Sequence, residues 1–137
     1  MEDPQNIWNE FYKAKKDERM KEAFLIWDHM RDSGVSEETV LAIDFLHFGS
    51  NKENVTNLAK QLSENYEMDL VPGEKEYWYA KGTTRPYGVN LTKQELLGWI
   101  DFMTDVSQSY SCVFSSWSIE APSLNVSFHS ENIESNS

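Results

Sequence analysis

The 137-residue chain carries 12 basic and 23 acidic side chains, a net charge of −11, so its field repels nucleic acid and anionic lipid and attracts basic protein surfaces. Its length suits one domain with a real core built without disulfides or metals, and its aromatic share of 13% is too rich for a disordered chain. A single cysteine, Cys112, excludes an internal disulfide and agrees with a reducing compartment.

Met1 is followed by acidic and polar residues rather than a basic and then apolar leader, and no apolar run nears the roughly 20 residues of a membrane span. A cytoplasmic location is the expectation, with no membrane partner. The sequons at Asn54, Asn90 and Asn125 then carry no weight, because such sites matter only on a secreted chain.

From Asn6 to about Ser33 the apolar residues recur at helical spacing, first Ile7, Trp8, Phe11 and Tyr12, then Met20, Ala23, Phe24, Trp27 and Met30. The charged run "KAKKDER" between them allows either two helices or one with a solvated middle turn. Gly34 is the expected stop. "TVLAIDFLHF" reads as a strand covered on much of both faces, and a helix comes next, with Ser50 and Glu53 at capping-box spacing.

"YEMDLV" is the next strand, closed by Pro72-Gly73, where Gly is expected to accept positive φ; "EYWYAK" pairs with it as a hairpin. "GTTRPYGVN" is loop. Thr92 and Glu95 then form a capping box at the start of a helix striped by Leu96, Ile100, Met103 and Val106. "YSCVFSSWSIE" is the last strand, and the residues beyond Ser123 read as a frayed polar tail.

The order after the first helix is β-α-β-β-α-β, the ferredoxin-like α+β arrangement, a four-stranded antiparallel sheet with both helices on one face and strands one and three central. Three segments are expected: a helical extension over residues 1–34, the α+β domain over 35–123 and a disordered tail over 124–137. The far face of the sheet needs a cover, which the N-terminal helix or a second copy in a homo-oligomer could supply.

No residue set promises catalysis, a metal site or a cofactor site. Asp101 and Asp105 lie one helical turn apart and read as a solvated helix face. Asp44 and His47 are three apart on a strand and point to opposite faces, so they cannot chelate one ion. Cys112 reads as a small core residue. The stretch "EKEYWYAKGTTRPYG" interleaves aromatics with Lys81 and Arg85 and is the only region that is not net negative. Tyr77 and Tyr79 share one strand face, Trp78 and Ala80 the other. If the tyrosines stood in solvent beside Phe45 or Phe48 they would make a base-stacking platform, but the net charge disfavours direct nucleic-acid binding.

A helix ending in "MRDSGVSEE", the strand "TVLAIDFLHF", a helix ending in "NYEMDL" and a last strand with Trp117 together resemble the RraB family, protein regulators of ribonuclease E. The likeness spans roughly residues 20–121. Tyr66 and Glu67 match the family's Tyr-Glu pair, whereas Phe114, Ser115, Ser116 and Trp117 stand where the family has Tyr-Asp-Gly-Trp. The resemblance implies a non-enzymatic inhibitor that binds an endoribonuclease, and the acidic charge fits competition with RNA for a basic scaffold segment. Small size and acidity suit equally an immunity-type inhibitor of another nuclease or toxin. Contact with the partner is expected from Trp117, Tyr77, Tyr79, Arg85 and the acidic group Glu64, Glu67 and Asp69.

Overall fold

The computed structural model describes residues 4–85 and 88–132. Its first element is one unbroken helix, α1 (Pro4–Asp32), so the charged run is a middle turn and not a break. Gly34 ends it at φ 95°. Two reverse bonds close the end, Val35 N–H to the Met30 carbonyl (2.9 Å) and Gly34 N–H to that of Arg31 (3.1 Å), with Met30 and Val35 both buried. That pattern satisfies carbonyls a helix end leaves bare.

The remaining elements are β1 (Ala42–Gly49), α2 (Lys52–Leu62), β2 (Glu67–Pro72), β3 (Trp78–Thr83), α3 (Lys93–Ser109), β4 (Val113–Ala121) and β5 (Val126–His129). The expected capping box opens α3, with Thr92 N–H donating to Glu95 Oε1 (2.9 Å) and Glu95 N–H to Thr92 Oγ1 (3.1 Å). At α2 the cap is Asn51, whose side chain accepts from Asn54 N–H at 3.0 Å, and not Ser50. In the β2–β3 turn it is Lys75 that takes positive φ (57°). Gly73 serves differently: the Tyr79 ring lies 2.2 Å from where a Cβ would stand, so glycine admits the ring.

The protein is α+β, and its antiparallel sheet has five strands rather than four, in the order β2-β3-β1-β4-β5. The fifth overturns the frayed tail between residues 124 and 132. Asn125 turns the chain at φ 55°, β5 pairs with β4, and the buried Ser130 hydroxyl accepts from Trp117 N–H at 2.9 Å. Residues 133–137 lie outside the described residues.

One face of the sheet carries the core. Ile43, Phe45 and His47 from β1, Ala80 from β3, and Phe114, Trp117, Ile119 and Ala121 from β4 point into it. There they meet Val55 and Leu58 of α2, Leu96, Ile100 and Met103 of α3, and Ala23, Ile26, Trp27 and Met30 of α1. The N-terminal helix is therefore no cover for the far face; it lies beside α3 on the same side. Polar contacts fix it there. Lys16 Nζ bridges Asp101 (2.8 Å) and Asp105 (2.6 Å), and Lys93 sits over the Phe24 ring, so the two helices run antiparallel.

Register slips between Leu46 and His47 of β1, which face Ser116 and Phe114 of β4, leaving Ser115 as a bulge residue. Its freed carbonyl accepts from Arg19 Nη1 at 2.6 Å, and the same nitrogen meets Glu22 Oε1 at 3.1 Å. Both side chains are nearly buried. Burial outweighs the attraction of Arg19 and pushes the Glu22 carboxyl up to about 7.

Candidate functional site

The face turned away from the helices is built by strand alternation alone. Residues paired across the strands share a face, so Asp44, Leu46 and Phe48 of β1 stand with Thr83, Lys81 and Tyr79 of β3 and with Glu67, Asp69 and Val71 of β2. Ser116, Ser118 and Glu120 of β4 continue it, and Ser127 and His129 of β5 close it. No described element packs over these residues, all of which are exposed or half-buried.

The face changes character along the strands. At the end where β1 stops, Phe48 meets Tyr77 edge-on (ring centroids 5.7 Å) and Tyr79 (6.1 Å). Tyr77 is 43% exposed. In the middle, Leu46 and Asp69 lie on either side of Lys81. At the other end Arg85 donates to both carboxylate oxygens of Asp44 (3.4 and 3.3 Å) and to Glu120 (3.1 Å), while Glu67 projects from the edge strand unshielded. Carboxylates outnumber cations here, and Arg85 is already spent on two of them. Two shallow grooves flank Asp44, one of about 230 Å³ toward Ser116 and His129 and one of about 400 Å³ toward Glu67 and Asp69.

Of the residues expected to contact a partner, Tyr77, Tyr79, Arg85, Glu67 and Asp69 come together on this face. Glu64 is exposed in the turn between α2 and β2. Trp117 is a correction. It is 2% exposed and sits among the helices, its ring 6.1 Å from that of Trp99. The cause is the bulge at Ser115, which lets Phe114 and Trp117, three residues apart, both point inward.

Sequence reasoning missed Leu46 and Glu120, weighed Asp44 only as an ion ligand, and named Phe48 only as one of two possible neighbours of the tyrosines. A signal existed, because Asp44 inside an apolar run marks which parity of β1 meets solvent. Its neighbour in that run, His47, is fully buried; Ser107 Oγ lies 3.0 Å from its Nδ1.

Among the described residues no group of three or more His, Cys, Asp or Glu could hold a metal ion, and no helix is long and apolar enough to cross a membrane. Asp101 and Asp105 are spent on Lys16. Cys112 is fully buried, its S–H donates to the Tyr110 carbonyl at 3.4 Å, and burial pushes its thiol up to about 11, away from the reactive thiolate. The thiol is therefore expected to be silent to an aromatic disulfide reagent until denaturant unfolds the chain; prompt labelling of the native protein would contradict that burial. Neither a protein-family model nor a curated protein matches the chain.

Proposed function

We propose that the protein is a non-enzymatic, cytoplasmic regulator that binds an endoribonuclease of the ribonuclease E type and lowers its activity, holding a basic segment of that enzyme against the open sheet face. One observation carries the reading: an uncovered face that runs from the aromatics Phe48, Tyr77 and Tyr79 to the acids Asp44, Glu67, Asp69 and Glu120 on a chain of net charge −11. Aromatics that already touch one another offer contact area at low entropic cost, and rim acids steer a cationic partner. The strand order β2-β3-β1-β4 supports a ferredoxin-like βαββαβ unit, here lengthened by β5, and so agrees with the fold that the RraB resemblance implies.

The test is capture of a ribonuclease E type enzyme by the immobilised protein from lysate treated with ribonuclease, then binding kinetics on the purified pair. Glu67→Gln with Asp69→Asn is expected to slow association at low salt and to leave it nearly unchanged at high salt. Unaltered on-rates would remove the case for electrostatic steering.

A second reading has its own observation, since Tyr77 and Tyr79 do stand on the open face beside Phe48, where bases could stack. The surrounding carboxylates oppose it. A salt-dependent RNA affinity in the micromolar range, lost in Tyr77→Ala with Tyr79→Ala, would replace the protein-binding reading.

A further inference from the structure

The sheet has one edge whose hydrogen-bonding groups are bare. β2 pairs only with β3, and two bonds fix which of its peptide groups are spent there. Gly73 N–H donates to the Tyr77 carbonyl at 2.9 Å, and Thr84 N–H to that of Ile43, also at 2.9 Å. Bonded pairs alternate along an antiparallel ladder, so stepping back in register from the first gives Val71–Tyr79, Asp69–Lys81 and Glu67–Thr83 as the bonded pairs of β2 and β3. Stepping from the second assigns Gly82 and Ala80 to β1, and the two assignments agree. Met68 and Leu70 therefore turn both N–H and C=O outward, where no described residue bonds to them. Pro72, which has no N–H, closes this run at one end. Tyr66, whose N–H is held by the Leu62 carbonyl at 3.0 Å, closes the other. The opposite edge offers less, since β5 has four residues and leads directly to the buried Ser130, bonded to Trp117.

We propose that β2 takes up an extended basic segment of the partner as a sixth strand, bonded by its backbone at Met68 and Leu70 and by its cationic side chains at Glu67 and Asp69. This rests on the reading of the protein as a binder of a basic segment and states how that segment is held. An exposed edge pairs readily with a strand of another chain, and charge decides whose. Glu67 and Asp69 are exposed on the open-face side of β2, and Glu64 is exposed just before it. None of the three makes an ion pair with a described residue, and the one cation among the residues paired with β2 is Lys81, opposite Asp69. The groove of about 400 Å³ lined by Asp44, Glu67 and Asp69 gives a long basic side chain room beside them. A second copy is disfavoured. Pairing Met68 of one copy with Leu70 of the other, the register that uses every bare group of both residues, sets Asp69 directly against Asp69. Strand alternation then specifies the segment. Its side chains opposite Glu67 and Asp69 lie on the open face and are basic. Those opposite Met68 and Leu70 lie on the core side, where these two half-buried residues pack against the core, and are apolar.

The probe is the peptide Ile-Val-Arg-Val-Arg, amidated and carrying an N-terminal fluorophore, titrated with the full chain and followed by anisotropy. Run antiparallel to β2, its valines meet Leu70 and Met68 and its arginines meet Asp69 and Glu67. Saturable binding is expected, with the Met68 and Leu70 amides becoming protected from hydrogen exchange as the peptide is added. N-methylation of both valines, whose N–H groups face β2, should weaken binding by roughly thirtyfold or more, two hydrogen bonds being lost. N-methylation of both arginines, whose N–H groups point away, should change it by roughly threefold or less. Glu67→Lys with Asp69→Lys should turn the preference toward Ile-Val-Glu-Val-Glu. Equal binding of the two methylated peptides would overturn strand addition while leaving a basic partner for the face. Absence of binding at millimolar peptide, or a captured ribonuclease that the peptide does not displace, would also overturn it. Peptide binding in this pattern without capture of any such ribonuclease would remove the proposed partner and leave the edge standing.

Discussion

Gly82→Ala is expected to destabilise the protein by about 1–3 kcal/mol, although alanine normally favours folding by restricting the unfolded chain. A Cβ at Gly82 would lie 2.3 Å from Phe45 Cζ, 2.5 Å from its Cε2 and 2.6 Å from Met68 Sδ. The methionine can yield, but the ring has nowhere to go. Phe45 is 4% exposed and is boxed by Tyr66, Trp99 and His47 at centroid separations of 5.0, 5.6 and 5.7 Å. Tyr66 is held in turn by the Trp99 indole N–H, which donates to its hydroxyl at 3.0 Å. The internal control is Gly98 in α3, where an added Cβ meets nothing within 4 Å. There the same change should stabilise by about 0.5–1 kcal/mol, the helix-propensity difference. Urea midpoints of the two variants against wild type decide the matter, and a stabilising Gly82→Ala would mean that Phe45 does not cover the strand.

What the sequence displayed and what it hid divide along physical lines. The opposed faces of Tyr77 and Trp78 were legible because strand alternation is a local property, as was the Thr92–Glu95 box, a fixed spacing of two polar side chains. The single run of α1 was left open between one helix and two, because tertiary partners for Lys16 and Arg19 decide it: the charged run has no visible purpose until α3 and the bulge carbonyl of Ser115 receive these side chains. Strand β5 has four residues in a polar tail, below any periodic signal, and is held by pairing and by the Ser130–Trp117 hydrogen bond. Trp117 was misread for the same reason that the bulge was invisible. One extra residue in β4 reverses parity, and nothing in "FSSW" announces it. The outward set of β1 lay in plain view, but alternation is muted when Leu46 and Phe48 are as apolar as the buried residues between them.

The largest pH effect should come from His47. Its ring is fully buried between Phe45 and Phe114, and its Nε2 has no hydrogen-bond partner. Burial drives its pKa from 6.5 down to about 3, so the native protein holds it neutral where the unfolded chain takes up a proton. The His47 contribution is therefore flat above pH 6.5 and costs stability as pH falls toward 3, by roughly 1.4 kcal/mol per unit at the steepest. Glu22 acts with the opposite sign. Its carboxyl rises from 4.5 to about 7, so the native state binds the extra proton, and its contribution is complete below 4.5 and lost as pH climbs through 7. The two slopes oppose each other between 4.5 and 6.5, giving a plateau there, a fall below it owed to His47 and a shallower fall up to about 7 owed to Glu22. His47→Gln, which can keep a bond to Ser107, is expected to lower stability at neutral pH by about 1–2 kcal/mol and to remove the His47 share of the acid fall, so that its curve crosses that of wild type at roughly pH 5 to 6. Urea unfolding of both proteins across this range tests it; parallel curves would show that the acid limb belongs to other groups.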